Sequence, residues 1–489
     1  MRRAWKQNYT RIYSNNYNDE QSCGYYLYIC GWFVKNILKN KNILVYGLGK
    51  SGLASYELLK TMKANVVTFD DKRFPNKTLD LDIKKLDFAV VSPGIAQTSK
   101  LYQELIEKNV RIISEIELAS MFTKGKKIAI TGTNGKTTTI TLLGHIFKTC
   151  VGKFKRKNIF VAGNVGIPLA SIALKTNRKS TSIIELSSFQ LEKIENFNAD
   201  IVSILNIAPD HLDRYKNINE YIVAKERIFK NQEKNQIAVL NYNDKNYKRF
   251  ASKCKGKIYY FSTCDESQNE NYKGIFKHED RLFFKENSIE YLLSVKNIKL
   301  VGNKNIENVL AAVLIAKLEG LNMKKVERAI NSFAPLENRL EVVLQEKNVT
   351  YINDSKATNI ASAVADINAV DGDKIVLLGG SDKGENFENL AKQLKNNKKI
   401  AKFIVFGATS SKIVDAFDKH NMKNYEQKDN FENAVNFAKD LAKKQNKKIT
   451  VLLSPACASF DEFENYIERG NVFKKIVILN NKKEIQWKG

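Results

Sequence analysis

The sequence predicts an α/β protein of three domains, each built on a parallel sheet with helices on both faces. Three observations carry that prediction. Apolar runs of strand length alternate with amphipathic runs of helix length, and the alternation starts afresh at Asn42, at Lys127 and near Val349. Two strand-to-helix junctions are glycine-rich, at Gly47–Gly52 and at Gly132–Gly135. The length of 489 residues also corresponds to three domains, at roughly 150 residues each. The expected divisions are 42–122, 123–335 and 336–489. Residues 1–41, rich in tyrosine and asparagine and without clear period, stand before them as an extension that fits either a genuine segment or a misplaced start.

In the first series, strand Ile43–Tyr46 leads into Gly47-Leu-Gly49-Lys-Ser-Gly52 and a helix over Leu53–Met62. Strand Asn65–Phe69 ends in Asp70-Asp71, and Phe88–Val91 runs into Ser92-Pro93-Gly94. Glycines in this pattern let a backbone approach a phosphate, and Asp70 at the next strand end could hold a ribose. NAD binding, uridine-nucleotide binding and close packing of helix on strand all use such glycines, so the loop alone leaves the three open.

The second series is more specific. Strand Lys127–Thr131, loop Gly132-Thr133-Asn134-Gly135-Lys136-Thr137-Thr138 and helix Ile140–Cys150 form a shortened phosphate loop, with isoleucine at 130 where the full pattern has glycine. Its amides and helix N-terminus favour an anion. Lys136 can reach outer phosphates and the Thr137 hydroxyl can ligate magnesium. Strand Ser182–Leu186 carries Glu185 near its end, and strand Ile201–Ile207 is followed by Asp210-His211. Strand ends converge in a parallel sheet, so Thr137, Glu185 and His211 could hold magnesium beside a nucleotide. A lone histidine is more often structural, and only its neighbours favour the ligand.

The helix Ile218–Phe229 places Ile218, Tyr221, Ile222, Ile228 and Phe229 on one face, with Lys225 on that same face. Burial depresses a lysine pKa. The neutral amine could act as a nucleophile or capture carbon dioxide as a carbamate that holds a second magnesium. A snorkelling or carboxylate-paired lysine would fit the pattern too.

Residues 242–300 read as irregular strands and turns. Asn305 and Asn308 open an amphipathic helix, Ile306–Leu318, and Asn338-Arg339 follows a junction at Pro335. In the third series, strand Thr350–Ile352 ends in the polar turn Asn353–Asn359, and further strand-end turns follow Leu377 and Leu453. Lys356 and Lys383 on two of these turns would suit an acidic substrate.

Composition narrows the classes. Hydrophobic residues make up 43% and charged residues 27%, as in a globular protein with ample core. The net charge of +26 is spread through every segment, and no basic helix or recognition motif marks a nucleic-acid partner. The six cysteines form no CxxC pair, which argues against zinc and against a disulfide-stapled secreted fold. The apolar run Tyr25–Val34 is far short of the ~20 residues that cross a bilayer. A cytoplasmic monomer without membrane insertion is expected.

Together, GTNGKTT at 132–138, GNVGIP at 163–168, ELSSFQLE at 185–192, NIAPDHLDRY at 206–215, the Lys225 helix, NDSKATN at 353–359 and SPACASFDEF at 454–463 resemble the Mur ligase family. The resemblance runs from about Asn42 to the C-terminus. NDSKATN and SPACAS point to its D-glutamate-adding branch, and the DNPR-type signature of the diaminopimelate-adding branch is absent. The resemblance implies a Rossmann-like N-terminal domain, a central P-loop ATPase-type domain and a Rossmann-like C-terminal domain. It implies an ATP-dependent ligase that joins D-glutamate to UDP-N-acetylmuramoyl-L-alanine through an acyl phosphate, in peptidoglycan precursor synthesis.

By that resemblance Lys50, Ser51, Asp70, Gly94 and Asn164 match positions that bind the uridine diphosphate substrate. Gly132, Thr133, Asn134, Gly135, Lys136, Thr137, Thr138, Asn305, Asn308, Arg339 and Asp354 match ATP positions. Thr137, Glu185, His211 and Lys225 as a carbamate, drawn from carbon dioxide or bicarbonate, match ligands of two magnesium ions. Lys356, Thr358, Lys383, Ser459, Phe460 and Tyr466 match positions around D-glutamate, while Lys136, Lys225, His211 and Arg339 carry the catalytic expectation. Asp71-Lys72 stands where the family often has Thr-Arg, and Tyr466 where it often has phenylalanine. Domain closure about the Pro335 region is expected. Another Mur-type amino-acid ligase is the rival within the family. A nucleotide-dependent dehydrogenase would leave the Lys136 loop, Glu185 and His211 without a use.

Overall fold

The computed structural model describes residues 37–73, 82–151, 158–211, 214–300 and 302–486, with the side chains of 479–486 excepted. Most of the N-terminal extension, through residue 36, lies outside the described residues, as do Leu212 and Asp213 of the NIAPDHLDRY run. The fold is α/β with three sheets dominated by parallel pairing. The chain divides into two compact units: residues up to Thr123 together with Pro168–Lys175, and Lys124–Ile167 together with Thr176 onward.

In the first unit a four-stranded parallel sheet has the order 65–69, 42–46, 88–91, 112–113. Leu44, Tyr46, Val91 and Leu105 lie at its core. Helix Lys50–Thr61 starts three residues before the expected Leu53, because Gly52 is part of its first turn. A β-carbon on Gly52 would fall 1.8 Å from the Gly47 carbonyl oxygen, so only glycine lets the helix begin that close to the strand. Residues 168–175 form two short 3₁₀ turns here, where the Ala170 amide donates to Glu115 Oε1 at 2.6 Å.

The second unit holds two sheets. The larger has nine strands in the order 289–294, 281–285, 274–278, 257–262, 237–241, 201–204, 126–131, 181–185, 159–163. Its pairing is parallel except at the edge, where 274–278, 281–285 and 289–294 form an antiparallel meander. Helix Lys136–Val151 begins four residues before the expected Ile140, since a run of three β-branched threonines hid its first turn. Strand Ile201–Ile204 ends three residues before the expected Ile207. The residues released turn back on the loop, with the Leu205 amide donating to the Thr131 carbonyl at 3.0 Å and the Thr133 amide to the Asn206 carbonyl at 2.9 Å.

Helix Asn303–Leu318 corrects the amphipathic expectation. Asn305 lies in its first turn and Asn308 one turn further on, and Glu307 to Ala316 are all buried. It packs against the sheet on one side and helix Lys136–Val151 on another, so an apolar stripe all round is what the site demands. The six-stranded sheet runs 341–346, 349–353, 449–453, 373–379, 400–406, 425–427, parallel apart from the first pair. Its faces are covered by two separate apolar cores, one around Ile360, Leu378 and Phe417, the other around Leu377, Phe431 and Phe473. Among the described residues no helix is long and apolar enough to cross a membrane.

Candidate active site

The phosphate loop joins strand Lys126–Thr131 to helix Lys136–Val151. Gly132 and Gly135 take φ of +153° and +84°, which L side chains rarely adopt. A β-carbon on Gly135 would also lie 2.1 Å from Asn308 Oδ1. The loop is fastened from the neighbouring strand end. Asn206 accepts from the Asn134 amide at 2.9 Å through Oδ1 and donates to the Asn134 carbonyl at 3.1 Å through Nδ2. Thr133 Oγ1 takes the Ala208 amide at 3.0 Å and meets the Tyr221 hydroxyl at 3.1 Å.

Lys136 curls back over this loop, donating to the Gly132 and Thr133 carbonyls at 2.7 Å each. Burial lowers its pKa, and the nearby Glu185 and Asp210 charges oppose that shift. Glu185, buried at its strand end, accepts from Thr137 Oγ1 at 2.9 Å and from Asn164 Nδ2 at 3.0 Å. Lys225 is 1% exposed, on the face the periodicity gave it. Its Nζ donates to the Gly132 carbonyl at 2.9 Å and sits 4.6 Å from the centre of the Tyr221 ring. Burial first, and then the Lys136 charge, push its pKa well below the ordinary lysine value.

His211 has φ of +56° and lies edge-on to Phe189 with ring centres 4.8 Å apart. Glu192, which accepts from Arg214 at 2.8 Å and from the Tyr215 hydroxyl at 2.5 Å, braces the far side of that stack. Asp210 beside His211 is buried. Burial pushes its pKa up, but the charges of Lys383, His211 and Lys136 outweigh that and hold it below the usual carboxylate value. Lys383 Nζ lies 3.5 Å from Asp210 Oδ1, and Asn359 Nδ2 reaches Asn134 Oδ1 at 3.3 Å. Both contacts join the nine-stranded sheet's loops to those of the six-stranded sheet.

Between these two sheets lies a cavity of about 360 Å³. The loop residues Asn134, Gly135 and Thr138 line one part, Asn305 and Asn308 another, and Arg339, Asp354 and Lys356 a third. Lys356 Nζ stands 4.0 Å above the Tyr466 ring. Burial, with Arg339 and Lys136 adding to it, lowers its pKa to about 7. Ser459 is buried on the turn after strand Ile449–Leu453, and Thr358 is half-buried on the NDSKATN turn. Phe460, in contrast, is 70% exposed.

The turns of the six-stranded sheet are tied by Arg469, a fully buried guanidinium on the last helix, Tyr466–Gln486. It donates to Ser355 Oγ at 3.0 Å, the Ser355 carbonyl at 2.9 Å, the Cys457 carbonyl at 3.1 Å and the Ala458 carbonyl at 3.0 Å. Sequence reasoning passed over Arg469, Asn206, Asp210 and Asn359. Asn206, Asp210 and Asn359 lie inside quoted motifs and could have been taken from them; Arg469 sits on a helix with nothing local to mark it.

In the first unit, Asp70 Oδ2 accepts from the Leu48 amide at 2.6 Å, while Oδ1 takes the amides of Lys72 at 3.0 Å and Arg73 at 3.1 Å. Those donors and the Arg73 charge outweigh the upward push of burial and lower its pKa. Lys50, exposed, and Ser51, half-buried, open helix Lys50–Thr61, and Gly94 is exposed on the loop after strand Phe88–Val91. Asp71, one of the departures from the family pattern, accepts from the Tyr46 hydroxyl at 2.5 Å. Asn164 belongs to the second unit, beside Glu185.

The fold is that of the Mur-type ligases. A MurF structure from Acinetobacter baumannii superposes with a TM-score of 0.58 at 14% identity, covering 90% of this chain and 92% of that one. MurF ligase from Thermotoga maritima, solved in complex with ADP, gives 0.53 at 17% identity over 81% of this chain and 96% of its own. The Mur ligase middle domain matches residues 130–316, and the Mur ligase glutamate ligase domain matches 338–457. The UDP-N-acetylmuramoylalanine--D-glutamate ligase of Lachnoclostridium phytofermentans is 36% identical over 457 residues, 89% of this chain and 98% of that one. The chain belongs to the Mur ligase family, with the UDP-N-acetylmuramoylalanine--D-glutamate ligases as its relatives over nearly its whole length.

Proposed function

We propose that this protein joins D-glutamate to UDP-N-acetylmuramoyl-L-alanine with hydrolysis of ATP to ADP and phosphate. The observation that carries the reading is the cavity shared by the phosphate loop and the NDSKATN turn, which puts Gly135 and Thr138 on the same space as Lys356. In this reading 42–122 is a Rossmann-like domain for the uridine nucleotide, 123–335 a P-loop domain for ATP, and 336–489 a Rossmann-like domain for D-glutamate. Lys50, Ser51, Asp70, Gly94 and Asn164 serve the uridine substrate. The protein acts as a cytoplasmic monomer on small-molecule substrates.

A carboxylate is a poor acyl donor because it would have to expel oxide. ATP transfers its γ-phosphoryl group to the alanyl carboxylate, and the amine of D-glutamate then attacks the acyl carbon and expels phosphate. Lys136 and Arg339 stabilise the charge on the transferring group, which is the largest source of acceleration in such chemistry. Lys136 exchanges its two loop carbonyls for phosphate oxygens. Lys356, Thr358, Lys383, Ser459, Phe460 and Tyr466 receive the amino acid, with Lys356 charged at neutral pH once a carboxylate lies beside it.

Thr137 and Glu185 suit magnesium: both offer oxygen, and the hydrogen-bond donors on Glu185 are neutral, so its buried charge favours a cation. Magnesium held there, with His211 and a carbamate on Lys225 as further ligands, would supply Lewis-acid neutralisation of the phosphates. The depressed pKa of Lys225 supports the carbamate, because a neutral amine is the form that adds carbon dioxide. Among the described residues no three His, Cys, Asp or Glu side chains converge, so the set depends on the hydroxyl and the modified lysine.

Phosphate release from ATP with UDP-N-acetylmuramoyl-L-alanine, magnesium and bicarbonate tests the reading. Release is expected with D-glutamate and not with L-glutamate, D-alanine or L-lysine. Release with another amine alone reassigns the amino-acid pocket, and none with any amine overturns the proposal.

A further inference from the structure

Strands 159–163 and 181–185 are parallel neighbours, with Gly163 opposite Glu185. A connection between such strands is usually a helix of the same βαβ unit. Here it is two short 3₁₀ turns, Leu169–Ser171 and Ala173–Lys175, which belong to the first unit, with Leu169 and Ala173 fully buried. Both ends of this connection meet at Glu185. At its start the Asn164 backbone amide donates to the Glu185 carbonyl at 3.0 Å, and Asn164 Nδ2 donates to Glu185 Oε1 at 3.0 Å. At its end the strand it feeds terminates in Glu185 itself. The approach is close: a β-carbon on Gly163 would lie 2.2 Å from the Glu185 carbonyl oxygen.

Little slack separates Asn164 from the turns beyond it. The Gly163 amide donates to the Ile167 carbonyl at 2.9 Å, which closes the loop on itself, and Pro168 fixes the next φ. The first amides of a helical turn have no partner within that turn. Glu115 supplies one: its Oε1 accepts from the Ala170 amide at 2.6 Å, while its Oε2 makes no hydrogen bond among the described residues. Glu115 is 1% exposed. Burying a carboxyl with so few partners is costly, and an apolar side chain would fill the space without that cost. What only an acceptor does there is hold the connection in place.

We propose that Glu115 is a positioning residue for Glu185. It anchors the 163–175 connection, and the anchored connection presents the Asn164 amide that orients the Glu185 carboxylate. The inference rests on the reading of Glu185 as a magnesium ligand. Groups that orient a metal's ligands are commonly worth about 10- to 100-fold in metal affinity.

Two measurements on the full chain test this. Amide hydrogen exchange, without metal, should be faster in Glu115→Ala at 168–175 and also at Gly163 and Asn164, with strand Lys126–Thr131 unchanged. Glu115→Gln, which keeps an acceptor oxygen, should restore the slow exchange. Mn2+ binding, followed by electron paramagnetic resonance, reads the ligand directly, and the relevant site is the one lost in Glu185→Gln. Asn164→Ala and Glu115→Ala should each weaken that site by about tenfold. The double variant should be no weaker than Asn164→Ala alone, since both substitutions break one chain of contacts. Faster exchange confined to 168–175, unchanged Mn2+ affinity in Glu115→Ala, or losses that add in the double variant would each overturn the proposal. Should Glu115→Ala fail to fold, Glu115→Met, which keeps the bulk and lacks the oxygen, is held to the same outcomes. Mn2+ binding undiminished in Glu185→Gln is a failure of the metal reading itself and takes this inference with it.

Discussion

Two glycine loops, alike in the sequence, are held in different ways. The Gly47–Gly52 loop is stiffened from within its own unit: Asp70 captures the Leu48 amide, Ser92 Oγ donates to the Gly47 carbonyl at 2.8 Å, and Gly52 presses on Gly47. The Gly132–Gly135 loop is also held within its own unit, but by a side-chain amide and a buried cation, with Asn206 on its backbone and Lys225 on the Gly132 carbonyl. A glycine pattern thus signals close backbone approach, and what it approaches is decided by the groups that other strands deliver. Around the second loop those groups include the buried charges of Lys225 and Glu185, as reactive sites require.

The sharpest test of this contrast sets Lys136→Met against Lys50→Met. Phosphate-release kinetics should show a loss of about 10²–10³ in kcat for the first, the size of losing one preorganised donor to a developing charge. The second should leave kcat intact and raise KM for the uridine substrate. Equal losses in kcat would break the comparison.

The pH dependence of stability should separate the two units as well. Burial raises Glu115, in the first unit, from 4.5 to about 7. The folded form therefore keeps a proton that the unfolded chain releases, and stability falls as pH rises from about 4.5 through about 7. The full effect is at most about 3 kcal/mol. Glu115→Gln, which keeps an acceptor for the Ala170 amide, should be more stable than the parent at pH 8 and show a flatter pH dependence, checked by denaturant unfolding at pH 5 and pH 8.

Lys356 sharpens the other side. Its pKa of about 7 means that the ammonium is lost as pH rises through neutrality in the free enzyme. KM for D-glutamate should climb above that pH by at most tenfold per unit, and Lys356→Gln should remove the rise. The smallest effect is expected for Asn206→Ala. A loosened loop should raise KM for ATP about tenfold, as loss of one to two hydrogen bonds does, with little change in KM for the uridine substrate.

Much of this architecture was legible because period and punctuation agree. Strand Asn65–Phe69 and strand Phe88–Val91 fall where the apolar runs put them, and Lys225 is buried where its helical spacing put it. The departures have physical causes. Helix starts were misplaced at Lys50 and Lys136, where glycine and threonine, both poor helix formers, occupy first turns for the sake of backbone approach. Helix Asn303–Leu318 was expected to keep a wet face, since a single sequence does not say how many neighbours a helix has. Within the site, residues on local motifs were readable. Arg469 was not, because its partners at Ser355, Cys457 and Ala458 are backbone or hydroxyl oxygens that leave no charge pattern to match.

That arginine also sets an order of events during synthesis. The turn carrying Lys356 is complete in sequence well before residue 469 leaves the ribosome, yet the guanidinium that joins it to the Ser459 turn arrives only with helix Tyr466–Gln486. A nascent chain can fold its phosphate loop early and still lack a finished amino-acid pocket. Competence to spend ATP on ligation thus waits for residue 469, long after the phosphate loop has been made.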